Sequence, residues 1–167
     1  MKLLLADDHT LVRDTLAAFL SAPETGFEVV SAASVDEALE AIAADGPFDL
    51  VLLDYRMPGM NGLDGLARVK AEARPTPVAI LSGHVTRAFA EEVMAADAAG
   101  FLPKTMHAQS MVNAIRFMAM GERYVPVDIK EEEPTEAASA LAAGLTERER
   151  QVLDGLCRGL ANKEIAR

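Results

Sequence analysis

Five short apolar runs, each followed by a longer stretch of helical period, constrain the fold of this chain more than any other feature. The runs cover residues 2–6, 27–32, 49–53, 78–81 and 100–102. Each is long enough for one strand, and near-continuous apolar character is typical of strands that are covered on both faces of a sheet. Strands connected by crossover helices run parallel to one another. The pattern therefore predicts a doubly wound α/β domain with a five-stranded parallel sheet.

The stretches that follow the runs carry apolar residues at helical spacing. In the first of them, one stripe that we expect to face the core is formed by Leu11, Val12, Leu16, Phe19 and Leu20. Ser34 precedes the second stretch and is a residue type suited to cap a helix. We predict helices over residues 9–21, 34–44, 63–73, 86–96 and 108–120.

Beyond residue 120 the alternation of strand and helix stops. Residues 121–144 contain an acidic run and an alanine-rich stretch, which indicates a linker. Helical spacing resumes over residues 145–167, where Thr146 and Glu149 have the spacing of a capping box. The sequence therefore predicts one domain over residues 1–120, a linker, and part of a second, all-α unit.

Charge and cysteine content exclude several classes of protein. The formal net charge is −10, and residues 1–120 hold 9 of the 16 basic but 16 of the 26 acidic residues. A domain of this charge repels nucleic acid. Cys157 is the single cysteine, which excludes an intrachain disulfide, and Asp7 and Asp8 interrupt the N-terminal apolar run before it reaches the length of a signal peptide. We therefore expect a cytoplasmic protein without a membrane partner.

Polar side chains follow four of the five predicted strands, at the points where the strands end. Asp7 and Asp8 follow the first strand, Asp54 the third, Ser82 the fourth and Lys104 the fifth. The carboxyl ends of parallel strands meet at one edge of the sheet, and open α/β sheets bind their ligands at that edge. We therefore expect three carboxylates, one hydroxyl and one ammonium group to converge in one pocket.

The chemistry of such a pocket favours a divalent cation. Three neighbouring carboxylates repel one another unless a cation lies among them. Mg²⁺ fits best, because it binds one or two carboxylates and shares its other positions with water and phosphate oxygens. Asp54 is then a candidate nucleophile for a phosphoryl donor, and the metal and Lys104 neutralise the charge of the transferred group. The pocket thus predicts phosphoryl transfer to an aspartate, with Mg²⁺ as the cofactor.

Four separated motifs resemble those of two-component response-regulator receivers. They are LADDH at residues 5–9, VLLDYRMPGMNG at residues 51–62, Ser82, and FLPK at residues 101–104. The resemblance covers about residues 1–120 and is specific, because all four motifs agree in type and in order. It implies a flavodoxin-like fold with the strand order 2-1-3-4-5. It also implies a sensor histidine kinase as the partner that supplies the phosphoryl group.

The resemblance assigns roles to individual residues. Asp54 would be the phosphoacceptor, and Lys104 would pair with the phosphoryl oxygens. Ser82 would bond the phosphoryl group and act as a switch together with Phe101, whose ring would move between exposed and buried rotamers. The protein would assist its own phosphorylation and dephosphorylation without being an enzyme. The metal ligands would be Asp7, Asp8, Asp54 and the backbone carbonyl of Arg56.

The C-terminal residues resemble the opening of a LuxR-type helix-turn-helix domain. The motifs are LTERERQVL at residues 145–153 and GLANKEIA at residues 159–166. Together with the receiver motifs, they indicate the NarL/FixJ class of response regulators, which regulate transcription. The sequence stops at Arg167, before the recognition helix of such a motif could begin. We therefore expect either part of a longer parent protein or a C-terminal tail that docks on the receiver or on another copy of the chain. DNA binding would occur only through the missing recognition helix, and a homodimer is a further partner that the class allows.

Other functions for the pocket stay open at this point. A phosphohydrolase of the haloacid-dehalogenase type needs an acid two residues after its nucleophile, and Arg56 stands there, which argues against it. An interaction module that works without phosphorylation would keep the pocket only as a vestige. A structural cluster of ion pairs would need no metal at all.

Three histidines lie near the same predicted edge of the sheet. They are His9, His84 and His107, and their spacings fit no zinc-binding pattern. We therefore expect all three to be solvated loop residues without a metal.

Overall fold

The computed structural model of the chain describes residues 1–126. All ten predicted strands and helices are confirmed within this range, and each observed element begins and ends within one residue of its predicted bounds. Within this range, no helix combines the length and the apolar character needed to cross a bilayer. Residues 127–167, with most of the predicted linker and the predicted helix-turn-helix segment, lie outside the described residues. The elements are β1 (Lys2–Ala6), α1 (Thr10–Leu20), β2 (Glu28–Ala32), α2 (Val35–Asp45), β3 (Leu50–Asp54), α3 (Asp64–Ala73), β4 (Val78–Ser82), α4 (Arg87–Ala95), β5 (Gly100–Pro103) and α5 (Ala108–Ala119).

The five strands form one parallel sheet in the order β2-β1-β3-β4-β5, which confirms the expected 2-1-3-4-5 order. In the register of the sheet, Asp54 at the end of β3 lies opposite Leu81 of β4, and Ser82 lies opposite Pro103 of β5. The direction in which strands are added reverses between β1 and β3. The loops that follow these two strands therefore diverge and leave a crevice at the carboxyl edge.

Side chains alternate between the two faces of the sheet, and each face has its own apolar layer. Helices α2, α3 and α4 pack against a layer that includes Leu4, Val51 and Ile80. Helices α1 and α5 pack against the opposite layer, which includes Leu5 and Leu52. Burial of both faces explains why the strands read as continuous apolar runs. It also supplies the main free energy that stabilises the fold.

Ser34 caps helix α2, as predicted, because its side-chain oxygen accepts a hydrogen bond from the backbone N–H of Glu37 at 3.1 Å.

The predicted apolar stripe of α1 is wrong at Leu11. Leu16 and Phe19 pack against the α1 and α5 layer, whereas the side chain of Leu11 is 81% exposed. Leu11 lies in the first turn of the helix, beyond the end of β1, where that apolar layer does not extend.

Residues 121–126, at the start of the predicted linker, follow α5, and one of them, Tyr124, is hydrogen-bonded to the edge of the sheet. The N–H of Tyr124 donates to the carbonyl of Ala99 at 2.9 Å, and the Tyr124 carbonyl accepts from the N–H of Phe101 at 3.3 Å. These bonds form an isolated parallel bridge between Tyr124 and Gly100 of β5. The segment thus covers backbone groups at the edge of the sheet that would otherwise be unpaired.

Substitution of Gly100 tests this edge pairing. A Cβ atom at position 100 would collide with the Tyr124 carbonyl oxygen, so Gly100→Ala should lower the free energy of unfolding by about 1 to 3 kcal/mol. Urea denaturation measures the change. Gly83→Ala is the matched control, because a Cβ there meets no atom within 4 Å. Equal loss in the two variants would show that the bridge does not hold the segment.

Candidate functional site

The polar side chains that the sequence predicts at one edge of the sheet lie together there. Asp7 directly follows β1, Asp54 ends β3, Ser82 ends β4 and Lys104 directly follows β5. The Nζ atom of Lys104 lies 2.7 Å from Asp7 Oδ2 and 3.0 Å from Asp54 Oδ1. Beside them is a cavity of about 270 Å³, lined by His9, Val12, Asp54, Arg56, Ser82, Gly83, His84 and Lys104.

The three carboxylates differ in their exposure. The side chains of Asp7 and Asp54 are 0% and 3% exposed, whereas that of Asp8 is 34% exposed. One oxygen from each carboxylate and one ring nitrogen of His9 all lie within 4.8 Å of one another. This arrangement places four potential metal-binding atoms in one small volume.

His9 is a member of the cluster that the sequence did not reveal. Its side chain is 62% exposed, as expected for a loop residue, but its Nδ1 atom lies 3.0 Å from Asp8 Oδ1 and 3.3 Å from Asp7 Oδ1. The backbone N–H of His9 also donates to Asp7 Oδ1 at 2.9 Å. The N-cap of α1 is His9 itself, without a side-chain cap. Asp7 and Asp8 therefore do not cap the helix.

The environment of Asp54 destabilises the charged form of its carboxyl group. Burial raises the pKa of its carboxyl group, the hydrogen bond and charge of Lys104 lower it, the charge of Asp7 raises it, and the backbone N–H of Arg56 lowers it, with a net increase. Within residues 1–126, the buried Oδ2 atom of Asp54 has no hydrogen-bond partner. A buried carboxylate oxygen without a partner destabilises a fold. A cation bound in the cluster would supply that partner, so the donor set fits a hard divalent cation.

Lys104 retains its charge in this pocket. Burial alone would lower its pKa, but hydrogen bonds and charge interactions with Asp7 and Asp54 outweigh burial and raise the pKa above the ordinary value. The backbone N–H of Lys104 donates to the carbonyl of Ser82 at 2.8 Å, which connects the residues that follow β4 and β5. The ammonium group is therefore a fixed positive charge at the edge of the cavity.

Ser82 lines the cavity and Phe101 lies in β5, and in this structure both side chains contact other residues. The Ser82 hydroxyl donates to the carbonyl of His84 at 2.6 Å and accepts from its N–H at 3.2 Å. Phe101 is fully buried, and its ring centre lies 6.4 Å from that of Phe89 in α4. Phe89 in turn contacts Tyr55, the residue after β3, at 4.5 Å between ring centres. These contacts between aromatic rings could not be predicted from the sequence, because they depend on side-chain directions.

Comparison with known proteins shows the family. A family profile described as "Response regulator receiver domain" matches residues 3–116, and one described as "Bacterial regulatory proteins, luxR family" matches residues 143–167. The chain is 33% identical to Response regulator UvrY of Escherichia coli K12 over 99% of this chain and 78% of that protein. It is 35% identical to Transcriptional regulatory protein FixJ of Bradyrhizobium diazoefficiens over 96% of this chain and 76% of that protein. The chain is a response regulator of the NarL/FixJ family.

A solved structure supports the same assignment for the described domain of this response regulator. The signal receiver domain of the response regulator NarL from Mycobacterium tuberculosis superposes with a TM-score of 0.65 and 37% sequence identity, over 72% of this chain and 97% of that chain. Residues 3–116 are thus a receiver domain, which implies a sensor kinase as a partner. The LuxR-type match at residues 143–167 implies DNA binding as the output.

The burial of the Asp54 carboxylate, together with the nearby charge of Asp7, predicts that this response regulator becomes more stable when the charge of Asp54 is removed. In a metal chelator at neutral pH, Asp54→Asn should raise the free energy of unfolding by about 1 kcal/mol, measured by urea denaturation. The pKa of Asp54 is raised in the folded state, so the folded protein binds this proton more tightly than the unfolded chain. The charged Asp54 therefore destabilises the folded protein at pH values above this raised pKa. The stability that Asp54→Asn gains over the unmodified protein should decrease as the pH falls through the raised pKa.

The matched control for this prediction is Asp8→Asn, which removes a charge from the same cluster at a more exposed position. It should gain less stability than Asp54→Asn. A variant Asp54→Asn that is less stable than the unmodified protein at neutral pH would contradict this interpretation. Such a result would mean that the attraction to Lys104 exceeds the cost of burying the charge.

Proposed function

We propose that this response regulator accepts a phosphoryl group on Asp54 from a sensor histidine kinase, with Mg²⁺ in the pocket, and so switches the output of a DNA-binding transcription regulator. The single observation that carries this proposal is the placement of Asp54. Its carboxylate ends a buried strand and contacts Lys104 through Oδ1, while Oδ2, which lies beside Asp7 and Asp8, has no hydrogen-bond partner among residues 1–126. A structural ion-pair cluster would not need this unpartnered atom.

The proposed Mg²⁺ ligands are oxygens alone. Such donors suit Mg²⁺, which keeps several waters and shares its remaining positions with phosphate oxygens. When bound, Mg²⁺ would supply positive charge for the oxygens of the incoming phosphoryl group. Arg56 lines the cavity together with Asp54, which supports its inclusion. The ligands are the carboxylates of Asp7, Asp8 and Asp54 and the backbone carbonyl of Arg56.

Asp54 and Lys104 carry the chemistry of transfer in this proposal. Lys104 holds Oδ1 of Asp54 before the donor arrives. As the phosphoryl group enters, the ammonium group shifts its hydrogen bond to a phosphoryl oxygen, which frees Oδ1 for attack. A bond forms between this oxygen and phosphorus while the bond from phosphorus to the histidine nitrogen of the kinase breaks. The positive charge of Lys104 then stabilises the bound phosphoryl group.

Ser82 and Phe101 are the proposed switch. The Ser82 hydroxyl now donates to the carbonyl of His84. A phosphoryl group on Asp54 offers a charged acceptor instead, and charge-assisted hydrogen bonds are the stronger kind. The loop after β4 would then move inward, and the packing of Phe101 against Phe89 of α4 would change with it.

We further propose that the protein is a phosphoacceptor and not an enzyme. The transferred group becomes covalently attached to Asp54, so the transfer modifies the protein itself and not a separate substrate. The same charged groups that assist phosphorylation also stand beside the phosphoryl group when water removes it. Lys104 in particular would assist both directions.

Incubation of the chain with Mg²⁺ and acetyl phosphate, followed by intact-mass measurement, tests the proposal. We predict the gain of one phosphoryl group that is stable in acid and labile in base, and no gain for Asp54→Asn or in the presence of a chelator. Asp64→Asn, a change at the exposed start of α3, is the control and should be phosphorylated as the unmodified chain is. An unmodified chain that gains no phosphoryl group would instead support an interaction module with a vestigial pocket.

A further inference from the structure

His9 gives the acidic pocket a donor of a different chemical kind. Among the four groups that converge there, three contribute carboxylate oxygens and His9 contributes a ring nitrogen. Imidazole nitrogen is a good ligand for Zn²⁺ and related transition-metal ions, whereas Mg²⁺ prefers oxygen. The cluster therefore contains more than an Mg²⁺ site requires.

The distances in the cluster match the spacing of ligands around one ion. Two ligands bound at about 2.1 Å from one cation lie about 3.0 Å apart in octahedral geometry and about 3.4 Å apart in tetrahedral geometry. The Nδ1 atom of His9 lies 3.0 Å from Asp8 Oδ1, 3.3 Å from Asp7 Oδ1 and 3.8 Å from Asp54 Oδ2. All four atoms lie within 4.8 Å of one another, so side-chain rotation would have to shorten the longer separations for all four to bind one ion.

One further observation points to a bound cation. Asp54 is 2% exposed, and its Oδ2 atom has no hydrogen-bond partner among the described residues, although it lies in this cluster. The hydrogen bond from the His9 backbone N–H to Asp7 Oδ1 holds the backbone of His9 beside the carboxylates. His84 lines the same cavity, yet within residues 1–126 it forms no ion pair with a carboxylate.

We propose that Asp7, Asp8, His9 and Asp54 form a second metal-binding mode of this pocket, which takes a transition-metal cation of the Zn²⁺ class and prevents phosphorylation. Four protein ligands complete a tetrahedral site, and a site closed in this way has no position left for a phosphoryl oxygen. The carboxylate of Asp54 is then a metal ligand and is no longer free to attack. The inhibitory part of this inference rests on the proposed function, whereas the binding part does not.

Metal affinities of the full 167-residue chain test the binding part. Zn²⁺ affinity is measured by competition with a chromophoric chelator, and Mg²⁺ affinity by calorimetry, at one fixed pH and with Cys157→Ser in every sample to remove the thiol. We expect His9→Asn to weaken Zn²⁺ binding by about tenfold or more and to change Mg²⁺ binding by less than about threefold. His84→Asn is the matched control and should change neither affinity.

A second variant separates a ligand role from a structural one. His9→Glu replaces the nitrogen donor with an oxygen donor, so the preference for Zn²⁺ over Mg²⁺ should fall while the pocket still binds a cation. Thermal melting of each variant without metal checks that the fold is retained. Unchanged Zn²⁺ affinity in His9→Asn, or an equal loss of Zn²⁺ and Mg²⁺ affinity, would overturn the proposal.

Intact-mass measurement with acetyl phosphate and Mg²⁺ tests the inhibitory part. Added Zn²⁺ should suppress phosphorylation of the unmodified chain and should suppress it much less in His9→Asn. Equal suppression in both would overturn this part, because it would show that the carboxylates alone account for the block. Absence of phosphorylation in Mg²⁺ alone would overturn the proposed function and the inhibition, while the binding measurements would still decide the Zn²⁺ site.

Discussion

The ion pairs of Lys104 with Asp7 and Asp54 are the interaction on which the rest of the site depends. Because β1 and β3 are neighbours in the sheet, the residues at their carboxyl ends are brought together by the fold itself. One ammonium group cannot neutralise two buried carboxylates and the more exposed Asp8 beside them. The pocket therefore keeps an excess of negative charge that a divalent cation can relieve. A stable sheet thus holds a locally destabilising arrangement, as functional sites often require.

Much of this arrangement follows from the order of residue types along the chain. Buried strands alternate with amphipathic helices, which determines the parallel sheet, and polar residues directly after the strands must then meet at one edge. This reasoning suffices for Asp54, Ser82 and Lys104, because their positions depend on strand ends alone. The exposed side chain of Leu11 shows where prediction from residue spacing fails. Helical spacing identifies a stripe of apolar residues, but it does not tell how far the opposing apolar layer extends along the helix.

Other features depend on details that spacing does not encode. The contacts of His9 with the carboxylates arise from the backbone geometry of the loop after β1. The contacts of Tyr55 with Phe89, and of Phe89 with Phe101, depend on side-chain rotamers across three elements. Residues directly after α5 read as a linker in sequence, yet Tyr124 bonds to the edge of β5. Such contacts become visible only once the backbone is in place.

A crystal structure of the chain with Mn²⁺, which prefers the same oxygen ligands as Mg²⁺ and is located by its anomalous scattering, tests the central claim most directly. The account predicts one anomalous peak in the pocket, within about 2.3 Å of carboxylate oxygens of Asp7, Asp8 and Asp54 and of the Arg56 carbonyl. A structure in which Mn²⁺ binds elsewhere, while Asp54 contacts Lys104 alone, would contradict the claim that these side chains are assembled around one cation.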